Sequence, residues 1–314
     1  KVNYRYYNFD NQTPEMLFPL WVSTDQNPNT STKEGSIRSL SISYIKQNAG
    51  ADLNWRPTKE WNFGVAYGFE RYNWVRADAD ATNENSGKVY ADWKPAAWLG
   101  VRSSGYYADR RYNNYDYVNF VANVQQPVVT GVCSPSPCAS LSNSWKYSPA
   151  FQQFMLDNRQ RWKANVAVDV VVLPGVTLSP NFKYQDDYYG INPLLQTGVD
   201  DSRSWAGGID AVYVLNPDTS FMVGVTREYY TLLLFSGSSF TAPAATNMTN
   251  DRQIVDTLTA AVRYAAIPSK LDTELRYTLT HGVDTMQLNT TTGTNPGFPD
   301  NTTWWQRFDA TVAR

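Results

Sequence analysis

The sequence predicts an all-β fold: a transmembrane, antiparallel, up-and-down β-barrel with short periplasmic turns and long extracellular loops. Three observations point there. Long stretches alternate apolar and polar side chains at every second position. Short Pro-containing turns alternate with much longer polar loops. Tyrosines and tryptophans bunch where strands give way to loops.

The alternation is clearest in four stretches. In 61–69, Trp61, Phe63, Val65, Tyr67 and Phe69 form one set, opposed by Asn62, Gly64, Ala66 and Gly68, with Glu70 next. In 161–172, Trp162, Ala164, Val166, Val168, Val170 and Val172 oppose Arg161, Lys163, Asn165, Ala167 and Asp169. In 176–185, Val176, Leu178, Phe182 and Tyr184 oppose Thr177, Ser179, Asn181, Lys183 and Gln185; Pro180, on the apolar side, predicts a bulge. In 270–280, Leu271, Thr273, Leu275, Tyr277 and Leu279 oppose Lys270, Asp272, Glu274, Arg276 and Thr278. Strand side chains point alternately to opposite faces, so each stretch has one greasy and one polar face.

A soluble sheet could do the same; length separates the two cases. About twelve strands of roughly 9–15 residues can be counted, and eleven residues at about 3.4 Å, tilted about 40°, cover roughly 28 Å. That matches a membrane belt, whereas strands of soluble sandwiches run nearer 5–6 residues. On this reading Val166, Val168, Leu271, Leu275, Tyr277 and Leu279 face lipid. Arg161, Lys163, Asp169, Lys183, Asp272, Glu274 and Arg276 face a wet lumen and are the candidate contacts for a luminal partner, with Gly64, Ala66 and Gly68 leaving room for it.

Short turns fall at 56–60, 94–97, 173–175, 216–219 and 267–269, and long connections at 10–39, 76–86, 113–158, 189–203, 232–251 and 282–303. The aromatic pairs Tyr72 and Trp74, Trp93 and Trp98, Tyr106 and Tyr107, Tyr188 and Tyr189, Tyr229 and Tyr230, and Trp304 and Trp305 are expected to form interfacial girdles. A carbohydrate-binding surface β-protein would also favour such residues.

Composition narrows the function. A net charge of −2 gives no basic field for nucleic acid. The negative mean hydropathy suits a barrel, since half of each strand faces water. Apolar runs such as 166–176 are too short and interrupted for a spanning helix of about 20 residues. The one histidine, His281, reads as a loop-edge surface residue; alone it cannot supply pairs of haem ligands, and no Cys-x-x-Cys-His motif accompanies it. Gly-x-Ser-x-Gly and P-loop motifs are absent, and the pairs Asp186/Asp187 and Asp200/Asp201 read as solvated loop carboxylates. No catalytic or cofactor-binding residue is expected on this chain, nor enzymatic activity.

Two weaker signals remain. Cys133 and Cys138, with four residues between them in a Pro/Ser loop, suit either a small disulfide or two free thiols. Asp78, Asp80, Thr82 and Glu84 alternate in a loop-like stretch that faintly resembles a calcium loop, with Asp78, Asp80 and Glu84 the candidate ligands, but Asn83 and Val89 stand where that loop needs Gly and Glu.

Several longer phrases resemble one family. SYIKQNAGADLNWRP (43–57), WNFGVAYGFERYNWVRADADATNENSGKVYADWKP (61–95), YRYYNFDNQTP (4–14), YSPAFQQFMLDNRQRWKANVAVDVVVLPG (147–175) and WWQRFDATVAR (304–314) are similar, in order, to the MtrB/PioB outer-membrane porins associated with decahaem cytochromes. The resemblance implies a bacterial outer-membrane barrel that sheathes a periplasmic multihaem c-type cytochrome in its lumen. The haem belongs to the partner, and an outer-surface multihaem cytochrome is a further possible partner. The sheath insulates the haem wire while electrons cross the membrane. Family members are roughly twice as long, with a signal peptide and often an N-terminal Cys-x-x-Cys. Residues 1–314 are therefore expected to be one partial barrel domain, cut at both ends. The alternative is a solute-permeable general porin with an empty lumen.

Overall fold

Alternation at period two lets a strand offer one face to lipid and the other to water, provided its backbone groups pair with neighbours on both sides. The chain meets this with a meander of twelve long strands: β1 (Val2–Phe9), β2 (Ser43–Trp55), β3 (Trp61–Val75), β4 (Ala79–Ala96), β5 (Leu99–Tyr115), β6 (Arg159–Leu173), β7 (Val176–Tyr188), β8 (Thr197–Asn216), β9 (Thr219–Ser236), β10 (Asn247–Ile267), β11 (Leu271–Thr290) and β12 (Asn301–Ala313). The computed structural model describes residues 1–14, 16–18, 21–22, 33–34, 37–38, 41–75, 77, 79–115, 151–193, 196–236, 247–267, 271–290, 293–294 and 297–313. Each long strand pairs antiparallel with the next in sequence, giving the up-and-down barrel topology. The sheet is open: among the described residues β1 pairs only with β2, and β12 only with β11.

Register fixes which side chains share a face. Pairs such as Val166↔Phe182, Phe182↔Gly207, Ile209↔Val225, Val225↔Leu258 and Leu258↔Leu279 continue one apolar face from strand to strand. The expected apolar residues Val166, Val168, Leu275, Tyr277 and Leu279 all lie on it. It is not buried by protein: Val65 is 56%, Val225 48% and Leu275 63% exposed. A contiguous apolar surface of this extent calls for a hydrocarbon neighbour.

The polar face carries the seven expected lumen residues. Among the described residues, the few buried apolar side chains include Ala79, Ala81, Ala108, Leu156, Tyr189 and Ile191, which lie at the long-loop end of the sheet. Short turns fall as expected at 56–60, 173–175 and 216–219; β4 runs on to Ala96, which moves the expected turn at 94–97 to 97–98, and residues 268–269 of the turn expected at 267–269 lie outside the described residues. Pro174 and Gly175 join β6 to β7, with Gly175 at φ 80° and no space for a Cβ beside the Val214 carbonyl, as a type II turn requires. In the β8–β9 turn, the Asn216 side chain accepts a hydrogen bond from the Asp218 amide at 2.9 Å. Ladder irregularities sit just before four short turns, at Trp93/Ala96, Val171/Leu173, Val214/Asn216 and Ala265/Ile267.

The structure corrects several expectations. Strands run well past the membrane belt, up to the 21 residues of β10, so the connections expected at 76–86, 189–203, 232–251 and 282–303 are shorter than expected. The stretch 76–86 is not a long loop; β4 begins at Ala79, and a three-residue link joins it to β3 on the long-loop side. Beyond the belt both faces are wet, so the alternation fades although backbone pairing continues. Pro180 makes no bulge. Its register with β8 is unbroken, and on the β6 side the pairs at 168–169 are missing while the register stays unchanged. Proline has lost a donor there without displacing the chain, and Ser179 instead bonds the Asp169 carboxylate at 2.8 Å.

Candidate functional site: the polar face

Side chains adjacent in sequence point to opposite faces, so the expected girdle pairs Tyr106/Tyr107, Tyr229/Tyr230 and Trp304/Trp305 split. Tyr107, Trp162, Trp205, Tyr229 and Trp304 lie on the apolar face; Tyr107 packs on Trp162 at 4.5 Å and Trp205 on Tyr229 at 5.7 Å between ring centroids. At the short-turn end Trp55, Phe63, Trp61 and Trp93 form a second stacked row. Tyr106, Tyr230 and Trp305 turn the other way. Tyr72 and Trp74, two residues apart, both lie on the polar face: they stack at 4.8 Å with Tyr44 against them, and Lys46 Nζ sits over Tyr72. They are not part of a lipid girdle. Nor does Gly64 leave room for a partner, because Tyr90 from β4 folds across it and a Cβ there would strike that ring.

The polar face is densely ion-paired. Arg161 Nη2 donates to Asp187 Oδ2 at 2.7 Å, with Asp187 only 6% exposed. Arg159 and Glu84 are paired at 2.6 Å, Arg102 and Asp169 at 2.8 Å, Lys46 and Glu70 at 2.8 Å, Arg263 and Asp272 at 2.7 Å, and Arg276 and Glu274 at 2.8 Å. The expected lumen residues therefore form two groups. Arg161, Lys163, Asp169 and Lys183 lie together on β6 and β7. Asp272, Glu274 and Arg276 lie on β11, separated from them by three strands. Lys163 and Lys183 have no ion-pair partner among the described residues; Lys163 Nζ lies 5.6 Å from the Tyr106 ring centre.

At the long-loop end, residues 151–158 form a strap over this face, which the sequence did not signal. Phe151 and Gln152 pair in parallel with Thr197 and Gly198 at the start of β8. Arg110 Nε donates to the Asp157 carbonyl at 2.8 Å and Arg110 Nη2 to the Phe154 carbonyl at 2.5 Å; the Tyr112 amide donates to Asn158 Oδ1 at 3.0 Å. Within the strap, Leu156 and Asp157 are buried. Burial pushes the Asp157 carboxyl up to about 6, against the opposing pull of the Asn158 amide and the Arg110 charge.

The remaining sequence candidates resolve as follows. Asp80 and Glu84 sit on strand β4, where extended backbone cannot wrap an ion; Asp80 accepts from Asn114 Nδ2 at 2.8 Å and Glu84 is held by Arg159. Asp78, Cys133 and Cys138 lie outside the described residues. Asp186/Asp187 and Asp200/Asp201 are in strands β7 and β8 rather than loops, and Asp187 is buried. His281 is not at a loop edge either. It is mid-strand in β11, on the apolar face, 4.2 Å from the Trp304 ring. Beside it, also on the apolar face, Arg227 and Asp256 make two hydrogen bonds at 2.7 and 2.8 Å.

Comparison with known proteins adds three findings. The family model of the MtrB/PioB outer membrane beta-barrel porins matches residues 1–313. No curated protein sequence matches. Among solved structures, similar chains include the ferric citrate transporter FecA in its unliganded form, 11% identical with a TM-score of 0.47 over 87% of this chain and 39% of that one. Another is a mutant of the monoaromatic hydrocarbon channel TodX, 9% identical with a TM-score of 0.33 over 88% of this chain and 79% of that one. The chain thus spans about two fifths of the length of the ferric citrate transporter.

Proposed function

Because the chain belongs to the MtrB/PioB family of outer membrane beta-barrel porins, we propose that it forms wall of a sheath in the bacterial outer membrane that houses and insulates a multihaem c-type cytochrome, so that electrons cross on the partner's haems. Its apolar face meets lipid; its polar face meets the lumen.

The observation that carries the reading is the placement of His281. The one imidazole of the chain lies on the apolar face against Trp304, away from the lumen. The lumen wall holds carboxylates, guanidiniums, lysines, tyrosines and amides, none of which relays electrons as a haem with axial ligands does. A chain with this wall contributes shape, charge and insulation, and the redox groups come from another molecule. The mixed-sign, mutually paired charges also differ from the single-sign constriction of an ion-selective pore.

The test uses the full-length protein in liposomes with and without a multihaem c-type cytochrome purified from the native host. With the cytochrome, an external reductant should reduce an entrapped dye; with the barrel alone it should not. Dye reduction by the barrel alone, or a wild-type barrel that never retains a haem protein, would leave a solute-permeable porin with an empty lumen.

A further inference from the structure

The charges of the polar face are unevenly spent. On β4–β7 every carboxylate is engaged: Glu84 by Arg159, Asp187 by Arg161, Asp169 by Arg102 and Ser179, and Asp92 by the Asn62 amide at 3.0 Å. Three lysines on the same strands, Lys88, Lys163 and Lys183, have no carboxylate among the described residues. Their registers place them together. Lys88 and Lys163 both pair with Tyr106, flanking it on β4 and β6, and Lys183 pairs with Asn165, two residues along from Lys163. Lys88 Nζ lies 5.8 Å from the Tyr90 ring centre and Lys163 Nζ 5.6 Å from that of Tyr106, so aromatic faces hold two of the three ammonium groups in place.

Beside the patch the wall is hollow. A concavity of about 610 Å³ has Lys163 and Lys183 on one rim, Glu228 on the other, and the small side chains Asn165, Ser204 and Ala206 between. Beyond it the balance reverses: Asp210 and Glu228 on β8 and β9 have no cationic partner among the described residues, and Asp251 and Asp284 on β10 and β11 meet each other rather than a cation. The wall is therefore polarised across the sheet, cationic on β4–β7 and anionic on β8–β11.

Resting on the sheath reading, we propose that Lys88, Lys163 and Lys183 dock an acidic face of the protein held inside the barrel, fixing its rotation about the barrel axis. A polarised wall favours one rotational setting of a polarised occupant and penalises the reversed one, because like charges would then be apposed. The lysines suit this role since docking breaks no existing ion pair.

Tagged full-length protein is purified from its native host as wild type, as the charge-reversed Lys88→Glu/Lys163→Glu/Lys183→Glu variant, and as the charge-preserving Lys88→Arg/Lys163→Arg/Lys183→Arg variant. Barrel assembly is checked by heat-dependent gel migration, and a photo-crosslinker at position 183 reports the neighbour. The Glu variant should retain about tenfold less haem protein at equal barrel yield, the Arg variant should match wild type, and cross-links should fall in acidic segments of that partner. If the Glu variant assembles and retains as much partner as wild type, or cross-links land in neutral or basic segments, the docking inference falls and the sheath reading stands. If the wild type retains no haem protein, both fall. An anion preference in bilayer conductance would then assign the lysines to a permeating anion.

Discussion

Arg161 and Asp187 face each other across β6 and β7, and a single guanidinium edge grips both carboxylate oxygens. Asp187 is nearly buried, at 6% side-chain exposure, whereas Asp169, paired with Arg102 lower on the same face, is 44% exposed. The two pairs look alike in sequence but differ in how far water can replace the lost partner.

That difference sets the first expectation. Arg161→Ala leaves Asp187 unpaired with only the Gln185 amide beside it and should destabilise the barrel by about 1–3 kcal/mol. Arg102→Ala strands a carboxylate that water can reach and should cost less than about 1 kcal/mol. Urea unfolding of the full-length protein in lipid vesicles, followed by tryptophan fluorescence, measures both. Equal losses would show that burial does not rank these pairs.

Facing is tested by single cysteines in a background with Cys133 and Cys138 replaced by serine. Val166→Cys, Val168→Cys, Leu275→Cys and Tyr277→Cys should react with lipid-phase probes. Lys163→Cys, Asp169→Cys, Glu274→Cys and Arg276→Cys should react with water-soluble ones when the lumen is empty, because register places each set on its own face. Mixed labelling within either set would overturn the assigned registers.

Much of the fold was legible because the belt writes its own period. From Trp162 to Val172 the apolar positions recur at every second residue, and the structure keeps that phase. Legibility ended where the belt did. Above it, β10 and β11 continue to Asn247 and Thr290 with polar residues on both faces, so their pairing left no mark in the pattern. Of the candidate site, the shared polar face of the seven expected lumen residues could be read, but not which were spent on partners. That Arg161 is paired and Lys163 is not depends on where Asp187 lies on the next strand. The strap at 151–158 was illegible for a similar reason: its anchor, Arg110, lies some forty positions away.

The strap should respond to pH. With its folded value raised to about 6 from an ordinary 3.8, Asp157 favours the docked strap fully below about pH 4, and that contribution is lost as pH rises through about 6. Amide exchange at Leu156 and Asp157, whose N–H groups both donate to the Gln153 carbonyl, should therefore be better protected at pH 5 than at pH 7 after correction for intrinsic rates. Asp157→Asn keeps the acceptor for the Asn158 amide but has no charge to bury, so it should be as protected at pH 7 as wild type is at pH 5. Unchanged wild-type protection between the two pH values would mean the carboxyl does not hold the strap.

Arg227 and Asp256 make the last case, because they put charge on the face given to lipid. Trp205 and Tyr229 stack one residue pair nearer the long loops, and Val225 and Leu258 follow on the other side, so the ion pair lies just inside the aromatic row. An unpaired charge among hydrocarbon is penalised more the deeper it sits, while a bidentate pair largely cancels its own field. Asp256→Leu should therefore lower the unfolding midpoint in lipid by leaving the Arg227 charge without its partner. Arg227→Leu with Asp256→Leu should recover the midpoint or exceed it, since an apolar pair fits the face and buries no charge. A double variant as unstable as Asp256→Leu would mean that this stretch of wall does not meet lipid, and that another polar surface covers β9–β11 there.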